Sequence, residues 1–282
     1  MLGQRILTAI VLLLIVAGAL AAPSPWPVLL LLAAAAGCAL WEWIRLVLSS
    51  AWPRRLVPLL GVLLMLGLSA SWLQAGPGQA PAWTAWFQRG LVPLAVLFWA
   101  LPAPAMVLRV QPLSFFGPRV LAGCAVLALL AVWYALARIY LEFGAQCLVS
   151  LLALIWCADI AAYFTGRALG RRKLAPRVSP GKTWEGAAGG VAAATAWLVA
   201  TAWWWPQSYG ARLLETGSTA WVIAAGILLA AWSIIGDLFE SLLKRRAGVK
   251  DSSRLLPGHG GVYDRIDAVL PVAPAALLLL AF

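Results

Sequence analysis

Residues 236–267 read GDLFESLLKRRAGVKDSSRLLPGHGGVYDRID and hold five of the ten acidic residues of the chain: Asp237, Glu240, Asp251, Asp264 and Asp267. The only histidine, His259, lies in the same stretch, with Lys244, Arg245, Arg246, Lys250 and Arg254 ahead of Arg265. Asp237 and Ser241 are spaced to share one helical face, and Asp264 and Asp267 to share another. Three carboxylates at the ends of two helices can hold hard divalent cations through oxygen, as a Mg2+–nucleotide site requires. Lys244, Arg245, Lys250 and Arg254 between them suit phosphates. Pro257-Gly258-His259-Gly260-Gly261 forms a tight turn where backbone can come close to a ligand. A lone histidine is usually structural, but His259 sits between glycines, cations and the Asp264/Asp267 pair and is read as a site residue. No Ser-His-Asp arrangement is present, and one histidine without a nearby cysteine does not suit zinc.

A second polar stretch, GRALGRRKLAPRVSPGKTWEG (166–186), places cations ahead of Ser179-Pro180-Gly181-Lys182-Thr183. A phosphate-binding P-loop would need glycine at 176, where this chain has Pro176, and no strand is expected before it. What remains is a turn presenting backbone N–H groups, the Ser179 and Thr183 hydroxyls and Lys182 to an anion, with Thr183 and Glu185 placed to cap the next helix. A plain basic loop on the inner membrane face would read similarly. Asp159, late in an apolar run with Tyr163 one turn on, is costly there unless paired or bound. It lines a site or pairs with a loop arginine. Glu42, in WEWIR, is placed to pair with Arg45; as an acid inside a span it is also a candidate for a functional role.

These groups sit in a chain that is 63% hydrophobic and 11% charged, far outside the range of a soluble domain. Apolar runs of about 18–20 residues recur along its length. They predict an all-α polytopic membrane protein of about nine spans, near 5–22, 26–48, 56–73, 91–108, 117–137, 144–165, 186–205, 218–236 and 266–282. The first run lacks a cleavage site and is read as a retained span. With the N-terminus inside, all of the 21 basic residues except Arg89, Arg138 and Arg212 fall on or near the cytoplasmic side, which the positive-inside rule favours. The net charge of +11 therefore points to anionic lipid and nucleotide phosphates, and not to nucleic acid. Cys38, Cys124, Cys147 and Cys157 are widely spaced within spans and read as small core residues. Trp26, Trp52, Trp83, Trp86 and Trp203–Trp205 near span ends suit an interfacial belt. Residues 1–150 are expected to be scaffold. Residues 151–282 are expected to form the catalytic region, with motif loops at 166–185 and 237–265.

The run Ser241-Leu-Leu-Lys244-Arg245, Lys250-Asp251, Pro257-Gly258-His259-Gly260-Gly261 and Asp264-Arg265-Ile266-Asp267 resembles the signature of the phosphatidate cytidylyltransferases. Ala158-Asp159, Ala162-Tyr163-Phe164 and Ser179–Gly186 are similar to the same family, which often has glycine at the place of Ala161. The resemblance covers about 155–270 in motif. It implies a multi-pass enzyme of the inner (cytoplasmic) membrane, its site facing the cytoplasm, that joins CTP to phosphatidic acid with Mg2+ and leaves room for a second cation and for a homodimer. Carried over to these positions, it implies catalytic roles for Asp237, Asp264, Asp267, Lys250 and His259, with Asp237 and Asp264 ligating metal. Asp159, Ser179, Lys182, Thr183, Ser241, Lys244, Arg245, Arg254 and Arg265 would bind substrate. A CTP-dependent kinase of a polyprenol-type lipid would share membrane, nucleotide and Mg2+. An anion transporter would share the basic loops but place its charges nearer the membrane midplane.

Overall fold

The computed structural model describes residues 2–281 except 77 and 112–114. The side chains of Leu2, Gln4 and Arg5 also lie outside the description, and with them the inward charge expected of Arg5. Pro77 and Phe282, inside an expected connection and the last expected span, lie outside it too.

Helices dominate because the apolar runs are rich in Leu and Ala, and a backbone in lipid must satisfy its own hydrogen bonds. In chain order they are α1 (Leu2–Ala21), α2 (Trp26–Val47), α3 (Ala51–Gln74), then a nearly continuous run of α4 (Ala82–Trp86), a π-helical turn (Phe87–Leu91), α5 (Val92–Ala100) and α6 (Pro102–Arg109). After these come α7 (Pro118–Leu169), a hairpin of β1 (Lys173–Ala175) and β2 (Ser179–Thr183), α8 (Trp184–Trp204), α9 (Tyr209–Thr216), α10 (Thr219–Arg246), α11 (Tyr263–Ile266) and α12 (Val269–Leu279). Among the described residues, six helical stretches are long and apolar enough to cross a membrane: α2, α3, Ala82–Arg109, α7, α8 and α10. At about 1.5 Å per residue, the 52 residues of α7 would run roughly 78 Å, more than twice the hydrocarbon thickness. The helix breaks at Gly144 (φ 87°, ψ 173°), a conformation open in practice only to glycine.

Three features differ from the sequence reading. A two-stranded antiparallel hairpin, pairing Lys173 with Thr183 and Ala175 with Ser179, interrupts an otherwise all-helical chain. A short strand thus does precede Gly181-Lys182-Thr183, but these three residues belong to β2 and run straight into α8, so no phosphate-wrapping loop forms. Next, α10 does not stop near residue 236 but continues to Arg246. Leu238, Phe239, Leu242 and Leu243 keep an apolar stripe buried at three-to-four spacing there, and Asp237 is mid-helix. The last expected span is interrupted: α11 and α12 are separated by a turn at Asp267–Ala268, and α12 is only 11 residues long.

The crossing of α7 and α8 is close because small residues meet. A Cβ on Gly190 would lie 2.8 Å from the Ala158 carbonyl and 3.1 Å from the Ala162 Cβ, and one on Gly186 would lie 2.8 Å from the Ala162 carbonyl. Such small-residue spacing allows helix backbones to approach in membranes. Ala158, Ala162 and Gly166 supply the opposing face on α7; Ala161 is not part of it. Trp52, Trp86, Trp203 and Trp204 are exposed, as a belt requires. Trp83 instead packs with Trp72, Phe87, Trp133 and Tyr134 and donates its N–H to the Ser71 hydroxyl. The four cysteines are free, Cys147 fully buried.

Candidate active site

Every third or fourth residue of the C-terminal end of α10 is polar on one face: Asp237, Glu240, Ser241, Lys244 and Arg245. Ser241 Oγ donates to Asp237 Oδ1 at 3.4 Å. Facing them is the turn at Asp267, whose carbonyl lies so near Gly236 that a Cβ there would collide with it. That approach brings Asp267 beside Asp237. Oxygen atoms of Asp237, Glu240 and Asp267 all lie within 4.8 Å of one another. Glu240 is 1% exposed, and its Oε1 has no hydrogen-bond partner among the described residues. An orphaned buried carboxylate oxygen in a set of hard oxygen donors fits a divalent cation such as Mg2+.

Asp264, which the sequence pairs with Asp237, is placed differently. Its Oδ1 accepts from Lys244 Nζ at 2.7 Å, and its Oδ2 from Ser252 N (3.0 Å), Ser252 Oγ (3.0 Å) and Gly261 N (2.8 Å). Its oxygens are taken by donors of its own chain, so it is Asp267 and Glu240 that join Asp237. Lys244 connects the two sets, 2.6 Å from Glu240 Oε2.

Lys182 reaches the cluster from β2, with Nζ 2.5 Å from Asp237 Oδ2. The hairpin is seated by Arg245, whose Nε donates to the Val178 carbonyl at 3.3 Å. Thr183 caps α8, accepting from Gly186 N at 3.1 Å. Glu185 accepts from the Arg171 and Arg172 amides at 3.0–3.3 Å, closing the turn between α7 and the hairpin. Ser179 is half-buried in β2 with Pro180 exposed beside it.

Lys182 and Asp237 stand at one end of a cavity of about 480 Å3 between α7, α8 and α10. Its walls include Ala158, Ala162, Ala187, Gly190, Ala230 and Ile234, while Asp159, Tyr163 and Arg167 add polar groups. Asp159 opens onto the cavity and has no ion-pair partner among the described residues, so the loop-arginine alternative does not hold. The Arg167 guanidinium donates instead to the Tyr163 hydroxyl at 3.1 Å. Lys250 and Arg254 are exposed on the 247–262 loop, away from the paired groups. Arg265 donates to the His259 carbonyl at 3.1 and 2.8 Å, and His259 Nδ1 is buried without a partner.

The comparisons with known proteins decide the family. The profile of the Cytidylyltransferase family matches residues 3–282. The chain belongs to the Cytidylyltransferase family. It is 37% identical to a phosphatidate cytidylyltransferase of Pseudomonas aeruginosa over 283 residues, covering 99% of this chain and 97% of that protein. It is also 37% identical to one from Haemophilus influenzae over 290 residues, with 97% and 96% covered. A third, from Brucella suis, is 54% identical over 140 residues, about half of each chain.

In this cytidylyltransferase-family chain Glu240 was not assigned to the site by the sequence reading, and Glu42 was raised there only as an acid within a span with Arg45 as its expected partner. Glu240 was legible by its spacing, three residues from Asp237 on a face that also carries Ser241 and Lys244. Glu42 does not pair with Arg45, whose guanidinium lies over the Trp41 ring at 5.3 Å. It is fully buried and accepts from Ser252 Oγ (3.1 Å), Val262 N (3.0 Å), Ser253 Oγ and Tyr263 N. An acid within an apolar run signalled a partner, but that partner lies more than 200 residues away and no local spacing could name it.

Proposed function

We propose that this chain transfers the cytidylyl group of CTP to phosphatidic acid, giving CDP-diacylglycerol and pyrophosphate. The observation that carries this reading is a cavity with largely apolar walls that is also lined by Lys182 and by Asp237, a member of the carboxylate cluster. A lipid phosphate with acyl chains needs both surfaces together. Family membership and the names of the full-length relatives support the same chemistry.

In the reaction, an oxygen of the lipid phosphate attacks the α-phosphorus of CTP in line. The bond from that phosphorus to the bridging oxygen breaks, and pyrophosphate leaves with the electron pair. Such a displacement asks for positioning and charge neutralisation. Lys182, held by Asp237 at the cavity end, meets the lipid phosphate. Lys244 and Arg245, on the same face of α10, meet the triphosphate, with Lys250 and Arg254 drawing it in from solvent. Asp237, Glu240 and Asp267 would hold Mg2+, which when bound neutralises phosphate charge and polarises the reacting phosphorus, with room for a second cation. Asp264 sets the position of Lys244. Asp159 and Tyr163 line the lipid side, and His259 and Arg265 shape the turn beside the nucleotide.

Nine crossings are proposed, with the N-terminus in the cytoplasm. They comprise α1 to α3, the Ala82–Arg109 run, the two parts of α7 on either side of Gly144, α8, α10 and the 263–279 stretch. Both motif loops then open to the cytoplasm, at the inner membrane. Residues 1–150 act mainly as scaffold for the catalytic part, 151–282.

Detergent-purified protein given phosphatidic acid, Mg2+ and CTP labelled at either the α- or γ-phosphate tests the reading. It predicts α-label in lipid and γ-label in pyrophosphate. γ-Label in lipid with an alcohol acceptor would replace it with a lipid kinase, and no Mg2+-dependent transfer to either lipid would remove both.

A further inference from the structure

Glu42 lies on α2, far in sequence from every residue assigned above, yet both of its oxygens are spent on the loop that precedes α11. Oε1 accepts from Ser253 Oγ and Val262 N, and Oε2 from Ser252 Oγ and Tyr263 N. These contacts cover both carboxylate oxygens, and the single Ser252 hydroxyl proton is shared between Glu42 and Asp264. All four donors lie within residues 252–263, so one side chain closes the loop at both ends. The neighbouring Trp43 stacks on the Tyr263 ring, centroids 5.3 Å apart and planes at 11°. Gly261 leaves room for this contact, since a Cβ there would meet Ser252 Oγ and Glu42.

The tether continues into the site. The Ser252 hydroxyl that reaches Glu42 is also 3.0 Å from Asp264 Oδ2, and Ser252 N and Gly261 N reach that same oxygen. Asp264 Oδ1 then holds Lys244, which holds Glu240. Glu42 is thus three hydrogen bonds from the lysine assigned to the triphosphate, through Ser252 and Asp264, in a buried network whose members fix one another.

We propose that Glu42 is a positioning residue of the transfer reaction: by fixing both ends of the 252–263 loop it sets Asp264 and Lys244 against the Asp237–Glu240–Asp267 group. The proposal rests on the functional reading above. Glu42 touches neither substrate nor reacting atoms. Its carboxylate is acceptor-only, and Glu42→Gln turns one of its two oxygens into an N–H group facing a donor. Removing an outer partner of this kind typically costs about 10–100-fold in activity or metal affinity.

The test compares wild type, Glu42→Gln, Ser252→Ala and the double variant, each purified in the same detergent. The measurements are kcat, the KM for CTP, the half-activating Mg2+ concentration, the melting temperature and amide hydrogen exchange. The expected result for Glu42→Gln is a kcat lower by about 10–100-fold, a raised KM for CTP or Mg2+ midpoint, and faster exchange at 252–263 with α7 and α8 unchanged. Partial unfolding removes molecules without altering the survivors, so it leaves KM and the Mg2+ midpoint where they were. Ser252→Ala keeps the buried acid and cuts only the relay. It should shift the same constants less than additively with Glu42→Gln, as members of one network do. Wild-type constants in Glu42→Gln, or a loss confined to melting temperature and yield, would overturn the proposal. An inactive wild type would overturn the functional reading and the positioning role with it, a result distinct from an active wild type with an indifferent variant.

Discussion

Lys182 and Lys244 each pair with a member of the acid cluster, Asp237 and Glu240 respectively. Lys182 is anchored by one carboxylate, Asp237 Oδ2, and opens to the cavity; Lys244 is enclosed between Glu240 and Asp264. Lys182→Ala should therefore raise the KM for phosphatidic acid about tenfold or more while leaving the melting temperature within a few degrees, because a half-exposed pair contributes only about 0–1 kcal/mol. Initial rates against lipid mole fraction check this, and unchanged KM values with normal kcat would return the hairpin to a topological role. Asp264→Asn is nearly isosteric but turns an acceptor of four donors into a group that must donate. It should cut kcat by a factor of about 100 or more, with the protein still inserted and monodisperse, since a charge-assisted bond contributes roughly 1.5–3 kcal/mol. Full turnover in that variant would remove Asp264 from the account. The residue types were legible in the density of charge, but the pairing of carboxylates was not. Asp264 and Asp267 share a helical spacing, yet the turn at Asp267–Ala268 ends α11 and sends the two side chains to different partners.

The helices carry the site through close crossings and through one long extension. Gly186 and Gly190 on α8 meet Ala158 and Ala162 on α7, and the same residues wall the cavity. Gly190→Val should separate the two helices, narrow or distort the cavity and lower the melting temperature. Overpacking of this kind typically costs about 1–3 kcal/mol, measurable by thermal unfolding in detergent alongside lipid turnover. Wild-type stability would show that the crossing is looser than described. The presence and order of the helices were legible in apolar periodicity, including the break near 144. The C-terminal end of α10 was not, because the run of charges from Asp237 looks like a loop while its buried stripe of Leu238, Phe239, Leu242 and Leu243 keeps it helical. Its true end is set by Gly248, whose N–H bonds to the Arg245 carbonyl at 3.2 Å with φ +68°, a common way to close a helix.

Taken whole, the molecule brings a largely apolar cavity and an acid cluster together through Asp237, which belongs to both. The two parts of the chain are tied there by Glu42, which no composition-based division between scaffold and catalytic region foresaw. If the N-terminus is inside, Arg212 lies outside and Arg172 inside. In a variant whose four cysteines are alanine, Arg212→Cys should react with an impermeant maleimide on intact cells, and Arg172→Cys only after lysis. The reverse pattern would invert the topology and move the site to the outer face. The claim on which the rest depends is that Asp237, Glu240 and Asp267 hold the cation that the nucleotide meets. Anomalous scattering from crystals grown with Mn2+ and CTP measures this directly. The account predicts a peak within bonding distance of Asp237 and Asp267, with the triphosphate beside it and near Lys244. A peak and nucleotide seated elsewhere, with those carboxylates unbound, would contradict it.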